Sequence, residues 1–490
     1  MVRHKHSKEK SLKINFLMNA VLTCSNFIFP LITFPYVSRI LLADGNGKIN
    51  FANSVVSYFM LIASLGLPYY GVRACAIVRD DKKKLSRTVT ELFVINMATT
   101  ICSLLFLVIS IAIVPKFQEY RGLLLIISCS IWLKTLGMEW LYQALEEYSY
   151  ITVRSIVFKF LGVVLMLLFI HQHDDYLIYA LIMVISGSGS YILNFLRARR
   201  FISPVSLSSC DFVRHFKPIL SFFVLSAAWS LYGNADTFLL GFLSTDVQNG
   251  YFGAAVKIRQ MLLQCMLALS TVLLPRLANY YGNDRKDKFY LLLRKNSSFV
   301  IVAGIAIAAF CVCEARPIIL LLSGESYLPA IPVMQILMTV VIVNGFSTML
   351  GDNVLVTQGK EKVTTIATLI GFAVLAVVEI ILIPKCGAVG AAFGTVVGAI
   401  VTVLIEIIYL RHVVSLLFDP ICLVKCLISG AVAVGVLFGV AWLTRDFAFN
   451  VFVDLVIRGV VFIMAYGGML LITREQFVYN TLFGMLKRNR

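Results

Sequence analysis

Long apolar stretches recur along the whole chain, and short polar segments separate them. Some, such as 14–38 and 92–115, contain no charged residue, and others are interrupted by one or two charges. About 20 apolar residues cross a bilayer as a helix, which satisfies its own backbone hydrogen bonds. Strands of an outer-membrane barrel would be shorter and would alternate. The pattern therefore predicts an all-α polytopic membrane protein with fourteen transmembrane helices, at 14–42, 50–72, 90–114, 122–145, 152–171, 176–197, 217–243, 248–275, 295–314, 327–356, 363–384, 387–410, 422–443 and 451–472.

The composition excludes a chain of soluble domains. Of the 490 residues, 59% are hydrophobic and 14% charged, against about 45–50% and about 25% in soluble domains. The longest segment between spans, 197–217, is too short for a domain, and no Gly-x-x-x-x-Gly-Lys-Ser/Thr phosphate loop occurs. ATP-driven transport by this chain alone is therefore not expected.

The net charge of +17 reports topology rather than a nucleic-acid partner. If the N-terminus is cytoplasmic, 31 of the 43 Lys and Arg residues fall in segments on the cytoplasmic side and seven in outward segments. Cytoplasmic loops carry such an excess. We expect both termini in the cytoplasm and no cleavable signal peptide, because the first apolar run has span length and no small-residue cleavage site.

The placement of histidine and cysteine argues against an enzyme and a cofactor. A membrane-embedded acyltransferase would need a deep catalytic histidine, and a glycan polymerase would need a long outward loop. The outward loops are short, and all six histidines lie in loops or at predicted span ends. The eleven cysteines show no Cys-x-x-Cys pair and are interpreted as packing residues.

The two halves of the chain open alike. LLADGNGKINFANSVVSYF begins at Leu41 and FLSTDVQNGYFGAAVKIRQM begins at Phe242, each running from a span through a short polar loop into the next span. Six spans separate the copies, which indicates a parallel pseudo-twofold repeat with a substrate site between halves that alternate in access. The predicted organisation is an N-terminal lobe of six helices at 1–210, a C-terminal lobe of six at 211–415, and two additional helices with a tail at 416–490.

Some charged side chains are predicted at membrane depth, where they are costly and by default face a cavity or a partner. Lys134 falls near the midplane of span four and Glu139 lies further in. Arg154 and Lys159 lie in the inner part of span five, five residues apart and so not quite on one face. Asp236 lies about two turns from the outer end of span seven. A phosphate-bearing substrate would need such cations.

Further basic candidates lie closer to the membrane surfaces or in the second half. Lys257 and Arg259 occupy span eight at a depth similar to that of Asp236, and Arg39 lies near the outer end of span one. The alternative is that Arg39 and Arg154 extend to lipid headgroups. Near inner span ends, an interfacial position is expected for three residues: Arg73, Asp352 and Glu406.

Two long segments resemble bacterial polysaccharide flippases of the Wzx type, in the multidrug/oligosaccharidyl-lipid/polysaccharide exporter superfamily. The first is FPYVSRILLADGNGKINFANSVVSYFMLIASLGLPYYGVR at 34–73, and the second is MEWLYQALEEYSYITVRSIVFK at 138–159. Shorter matches follow at 234–236, 270–282, 320–330 and 354–362. Five candidates fall on these motifs: Arg39, Arg73, Glu139, Arg154 and Asp236. Lys134, Lys257 and Arg259 rest on depth alone.

The resemblance implies a flippase of the bacterial cytoplasmic membrane that moves an undecaprenyl-pyrophosphate-linked oligosaccharide to the outer leaflet. Its partners would be this substrate, membrane lipids, and the polymerase and chain-length machinery that use the product. The basic candidates would hold the pyrophosphate or acidic sugars, and Glu139 or Asp236 would couple transport to H⁺ or Na⁺. Three alternatives stay open: a lipid II flippase, a cation-coupled multidrug exporter of the same superfamily, and a membrane-embedded glycan polymerase or acyltransferase.

Overall fold

The structure is a computed structural model that describes residues 12–444 and 450–479, and these residues form helices and turns without a β-strand. The chain forms two compact units that divide between Asn234 and Ala235, inside one long helix. The predicted lobe boundary at residue 210 lies in the connection before that helix and stays a prediction.

The first unit is built from long helices joined by short helices and turns. Its helices are α1 (Leu12–Ser64), α2 (Leu67–Val78), α3 (Lys82–Ile113), α4 (Pro115–Glu119), α5 (Arg121–Gly137), α6 (Glu139–Ala144), α7 (Tyr148–Phe169), α8 (Tyr176–Val184) and α9 (Tyr191–Ala198), with a π-helical turn at Ile185–Gly189 and a 3₁₀ turn at Leu207–Ser209. Helix α10 (Val213–Leu243) begins in this unit and ends in the second.

The second unit continues in the same style. Its helices are α11 (Asp246–Gly282), α12 (Lys286–Cys313), α13 (Ala315–Leu322), α14 (Ile331–Thr348), α15 (Glu361–Cys386), α16 (Ala388–Tyr409), α17 (Arg411–Leu417), α18 (Pro420–Leu443) and α19 (Val451–Ile472), with a 3₁₀ turn at Glu325–Ala330 and a π-helical segment at Met349–Val356.

Twelve helical segments of the described chain are long and apolar enough to cross a membrane, by length and composition. The predicted number of fourteen differs at two places and is not confirmed. The segment Leu17–Val78 counts once although it covers predicted spans one and two, and α11, which covers predicted span eight, is not among the twelve. Side chains such as Leu168, Phe169 and Ile463 are more than half exposed, as lipid-facing residues are.

Helix α1 contains a break where the first predicted span ends. Leu42 has φ 54° and ψ −171°, which no helix accommodates. The Asn46 side-chain amide donates to the carbonyl oxygen of Leu42 at 3.0 Å, so a polar side chain satisfies a backbone group that the break releases. The rest of α1, including Pro30 and Pro35, remains helical.

Each unit has a buried apolar core. The first packs Leu92, Trp140 and Tyr142, all at most 5% exposed, between α2, α3 and α6. In the second, Phe289 and Leu410 belong to a cluster around the π-helical segment. Burial of this kind is the dominant favourable contribution to helix packing in water; in lipid, close packing and hydrogen bonds take that role.

One buried carboxylate in the first unit is fully paired. Glu91 is 0% exposed, yet it accepts hydrogen bonds from Arg87 at 3.0 Å, from Arg214, and from the backbone N–H of Asp211 at 2.7 Å. His215 Nε2 lies 2.9 Å from the same carboxylate. These contacts fix the start of α10 to α3, and they show how the fold accommodates an ionised buried acid.

Candidate functional site

A cavity of about 100 Å³ opens in the first unit between α1, α2, α3, α5, α6 and α9. Its polar lining consists of Ser64, Asn96, Lys134, Thr135, Glu139, Gln143 and Tyr191. Lys134 Nζ lies 3.5 Å from the Met60 sulfur, and no carboxylate of the described chain lies within ion-pair distance of it. Two predicted candidates, Lys134 and Glu139, therefore share one opening.

A local break in the chain brings Lys134 and Glu139 to this opening. Met138 adopts φ 40° and ψ 45°, a left-handed conformation that ends α5 and begins α6. Lys134 consequently lies in the last turn of α5 and Glu139 in the first turn of α6. A cation at a helix C-terminus and an anion at a helix N-terminus are both favourable to the helix dipole.

Arg154 completes the site from α7. Its guanidinium donates to Glu139 Oε2 at 2.8 Å, and the Arg154 side chain is 3% exposed against 27% for Glu139. The rings of Tyr150 and Tyr191 flank the guanidinium at 5.9 and 5.0 Å from their centroids. Arg154 is thus buried and paired, not extended to lipid headgroups.

The charges around the cavity do not cancel. Arg154 neutralises Glu139, and Lys134 remains as a positive charge facing the opening. A cationic site with spare donors can hold an anionic group, and phosphate oxygens are strong acceptors for it.

The structure does not bring the other basic candidates of the first unit to this cavity. Lys159 donates to Ser25 and Asn26 on α1 and lies 6.0 Å from the ring centre of Phe29. Arg39 is exposed and donates to the Pro35 carbonyl oxygen at 2.7 Å. Arg73, the remaining basic candidate of the first unit, is also exposed.

A second polar site lies in the other unit, where Asp236 meets two residues that were not predicted. Thr395 Oγ1 donates to Asp236 Oδ1 at 3.0 Å, and the Glu379 carboxyl is close enough to interact with that of Asp236. Exposed fractions are 6% for Asp236, 2% for Thr395 and 0% for Glu379. No Lys or Arg of the described chain forms an ion pair with either acid.

A small residue makes room for this acid pair. A Cβ on Gly394 would lie 2.3 Å from Glu379 Cγ, so the close approach of α15 and α16 requires glycine there. Glu379 could have been found from the sequence as the one charge within the apolar run 363–384. Thr395 carries no comparable signal.

Lys257 and Arg259 are half-buried on α11. Two residues along a helix correspond to a rotation of about 200°, so the two side chains point away from each other. They do not form one cationic patch.

Two family models match the chain. The model described as "Polysaccharide biosynthesis protein" matches residues 12–281, more than half of the chain, and the model "MatE" matches residues 222–381. A putative O-antigen transporter of Escherichia coli (strain K12) is 23% identical over 73% of this chain and 86% of the relative. One from Shigella dysenteriae is 24% identical over 82% of this chain and 100% of the relative.

Solved structures share the fold. The lipid II flippase MurJ, in an inward closed conformation, superposes with a TM-score of 0.74 over 95% of this chain and 100% of its own, at 15% identity. An inward-facing multidrug resistance MATE family transporter of the MOP superfamily gives a TM-score of 0.59 over 79% of this chain and 98% of its own, at 14% identity. At these identities the likeness describes the fold alone.

Proposed function

This chain belongs to the polysaccharide biosynthesis protein family, as a Wzx-type flippase of the MOP superfamily, and we propose that it moves an undecaprenyl-pyrophosphate-linked oligosaccharide across the cytoplasmic membrane. Transporters named for O-antigen among its relatives support a lipid-linked polysaccharide substrate and a role that is not enzymatic. The pyrophosphate, the direction of movement and the cytoplasmic position of both termini are part of the proposal.

The observation that carries the proposal is the cationic cavity of the first unit. Lys134 of α5 and Glu139 of α6 line it, and Arg154 of α7 pairs with Glu139 from behind this lining. A volume of about 100 Å³ is well below the roughly 300–1,000 Å³ of a pocket for a drug-sized ligand. It suits a phosphate-sized group, while the glycan and the lipid tail would occupy other space.

The proposed transport cycle uses the fourteen-span arrangement in two lobes, 1–210 and 211–415, with two further helices at 416–490. Access to the substrate would alternate between the two membrane faces. Since the sequence carries no phosphate loop for ATP, the energy would come from an ion gradient or from consumption of the product by the polymerase and chain-length machinery.

For ion coupling by H⁺ or Na⁺, the geometry favours Asp236 over Glu139. Glu139 is neutralised by Arg154. Asp236 and Glu379 lie buried together without a basic partner in the described chain. Two such carboxyl groups are stable only if one of them holds a proton or if a metal cation binds between them. The Thr395 hydroxyl adds an oxygen that H⁺ or Na⁺ coordination can use.

Two related functions have less support than the proposed one. A lipid II flippase would also carry a pyrophosphate, and the shared fold with MurJ is compatible with it. A cation-coupled drug exporter would favour an acidic and aromatic cavity, whereas the cavity here has a positive excess. The relatives named for O-antigen favour the oligosaccharide.

The test uses a strain that lacks this gene and any redundant flippase. Surface polysaccharide should be lost and lipid-linked units should accumulate on the inner leaflet; normal export would refute the function. The wild-type gene and Arg276→Ala, which removes an exposed arginine of α11, should restore export. Lys134→Ala should not, at equal protein level, because the cavity then lacks its positive excess. Accumulation of unprocessed lipid II instead would favour the lipid II alternative.

A further inference from the structure

Glu406 is a second buried acid of the C-terminal unit, near the end of α16 and apart from the Asp236–Glu379 pair. Its place near the inner end of a predicted span suggests an interfacial residue, but Glu406 is 0% exposed. Its carboxyl lies between the π-helical segment 349–356 and the first turns of α15: a Cβ built on Gly351 would be 3.0 Å from Glu406 Oε1 and 3.5 Å from Thr364 Oγ1. Leu350, which precedes Gly351, and Leu410, one turn after Glu406, belong to a buried apolar cluster.

The carboxyl of Glu406 has no basic partner. No described Lys, Arg or His forms an ion pair with it, and neither of its oxygens has a hydrogen bond of good geometry. The Ser347 side chain is close enough to interact. The buried hydroxyl of Thr364 and the buried amide of Asn353 are also left without partners in the same region. Glu91, equally buried, accepts four contacts from other residues instead.

The charged groups around Glu406 do not favour its ionised form. Asp352, half-buried on the π-helical segment, is the charged residue that acts on it electrostatically. The other charged residues at this end of α15, α16, α11 and α12 are exposed: Lys360, Glu361, Lys362, Arg411, His412, Arg276, Arg294 and Lys295. Three half-buried tyrosines also pack against the cluster there: Tyr280, Tyr281 and Tyr290. An ionised carboxylate left unpaired in a low-dielectric interior costs several kcal/mol or more, and it takes up a proton instead.

We propose that Glu406 is a proton-binding site that exchanges its proton through Asp352 with water on the predicted cytoplasmic side. In each exchange the O–H bond of Glu406 breaks as an O–H bond forms on the ionised carboxylate of Asp352, Asp352 passes that proton to water, and the reverse transfer from water through Asp352 restores the O–H bond of Glu406. The π-helical segment supports this role, because such segments occur frequently at functional sites, and glycine at 351 lets the carboxyl approach the backbone.

The site differs from the Asp236–Glu379 pair in its elements and its partners. Asp236 and Glu379 join α10 to α15 with Thr395 of α16, whereas Glu406 lies against Gly351 and Thr364. Proton binding by Glu406 does not depend on which substrate the chain carries, and it can be measured without a transport assay.

The test is infrared difference spectroscopy of the purified full chain in lipid nanodiscs at neutral pH. The spectrum of wild type minus Glu406→Gln should contain the carbonyl stretch of one protonated carboxylic acid. The matched control is Glu325→Gln, which replaces an exposed glutamate and should remove only a carboxylate signal. If Glu406→Gln also removes only a carboxylate signal, Glu406 is ionised and the proposal is wrong.

Two further measurements separate the proposal from its rivals. In Asp352→Asn the protonated signal should persist but exchange with deuterium more slowly; unchanged exchange would refute the route through Asp352. Replacing choline by Na⁺ at constant ionic strength should leave the signal unchanged, and its loss in Na⁺ would mean that Glu406 binds a metal cation. Because glutamine resembles a protonated glutamate, Glu406→Gln should keep the wild-type thermal midpoint, and a large drop would argue for an ionised carboxylate.

Discussion

The candidate sites of the two units treat buried charge in opposite ways, although the C-terminal unit also contains a buried ion pair, Glu314–Arg458. In the N-terminal unit, Glu139 is paired with Arg154 at 2.8 Å and Lys134 adds a positive excess at an open cavity. In the C-terminal unit, Asp236, Glu379 and the more distant Glu406 are buried without a basic partner in the described chain. One unit offers fixed cations, and the other offers acids that need a proton or another cation.

This difference suggests a division of labour. Fixed cations with spare donors suit an anion that arrives and leaves, such as a phosphate group. Acids that are stable only with a bound cation suit a coupling ion, because their charge changes when the ion leaves. The following substitutions test the comparison, from the largest expected effect to the smallest.

Arg154→Ala should have the largest effect. It removes a buried guanidinium and leaves Glu139 without its partner, and breaking a buried pair costs about 3–5 kcal/mol; the 27% exposure of Glu139 places the expected loss at the low end, about 3 kcal/mol. Thermal unfolding in detergent and the level of surface polysaccharide measure it.

The double variant Arg154→Ala/Glu139→Gln is the control for that result. It should recover much of the stability, because no charge is left unpaired, but it should not recover export, because the guanidinium donors of Arg154 beside the cavity are lost although the net charge is unchanged. Recovery of both would show that the pair is only structural.

Glu379→Gln should have a small effect on stability and a large one on coupling. If Glu379 shares a proton or another cation with Asp236, an amide of the same shape should keep the free energy of unfolding within about 1 kcal/mol of wild type. Export should lose its response to an imposed Na⁺ or pH gradient. A response equal to that of wild type would remove the Asp236–Glu379 pair from the coupling mechanism.

Arg39→Ala should have the smallest effect. Arg39 is exposed and donates to a carbonyl of its own helix, and surface substitutions of this kind change stability by about 0.5 kcal/mol or less. Near-normal export is expected in a quantitative assay of surface polysaccharide. A loss comparable to that of Arg154→Ala would mean that the substrate site extends beyond the cavity to Arg39.

The sequence predicts the membrane class and the grouping of several charges well, because apolar length and the cost of embedded charge act locally. Lys134 and Glu139 lie five residues apart in the same predicted span, and five-residue spacing indicates that Arg154 and Lys159 are not quite on one face. In the structure Arg154 binds Glu139, whereas Lys159 binds Ser25 and Asn26.

Contacts between distant segments could not be predicted in the same way. Asp236 and Thr395 are 159 residues apart, and a threonine in an apolar helix carries no signal of its partner. The left-handed conformation of Met138 could not be predicted from the sequence either, since a non-glycine residue in this conformation is disfavoured and persists only through tertiary packing. The sequence does not show that Glu406 is buried, because a glutamate at a membrane interface and a glutamate packed inside the protein have the same apolar neighbours in sequence.

The most direct test of the central claim is reconstitution of the purified chain in liposomes with an undecaprenyl-pyrophosphate oligosaccharide, measuring the fraction accessible to an external glycan-modifying enzyme over time. Wild type and Arg276→Ala should transfer the lipid-linked unit between leaflets, and the variant Lys134→Ala/Arg154→Lys should transfer it much more slowly at equal protein content. Transfer by that variant at the wild-type rate would contradict the assignment of the pyrophosphate to the N-terminal cavity.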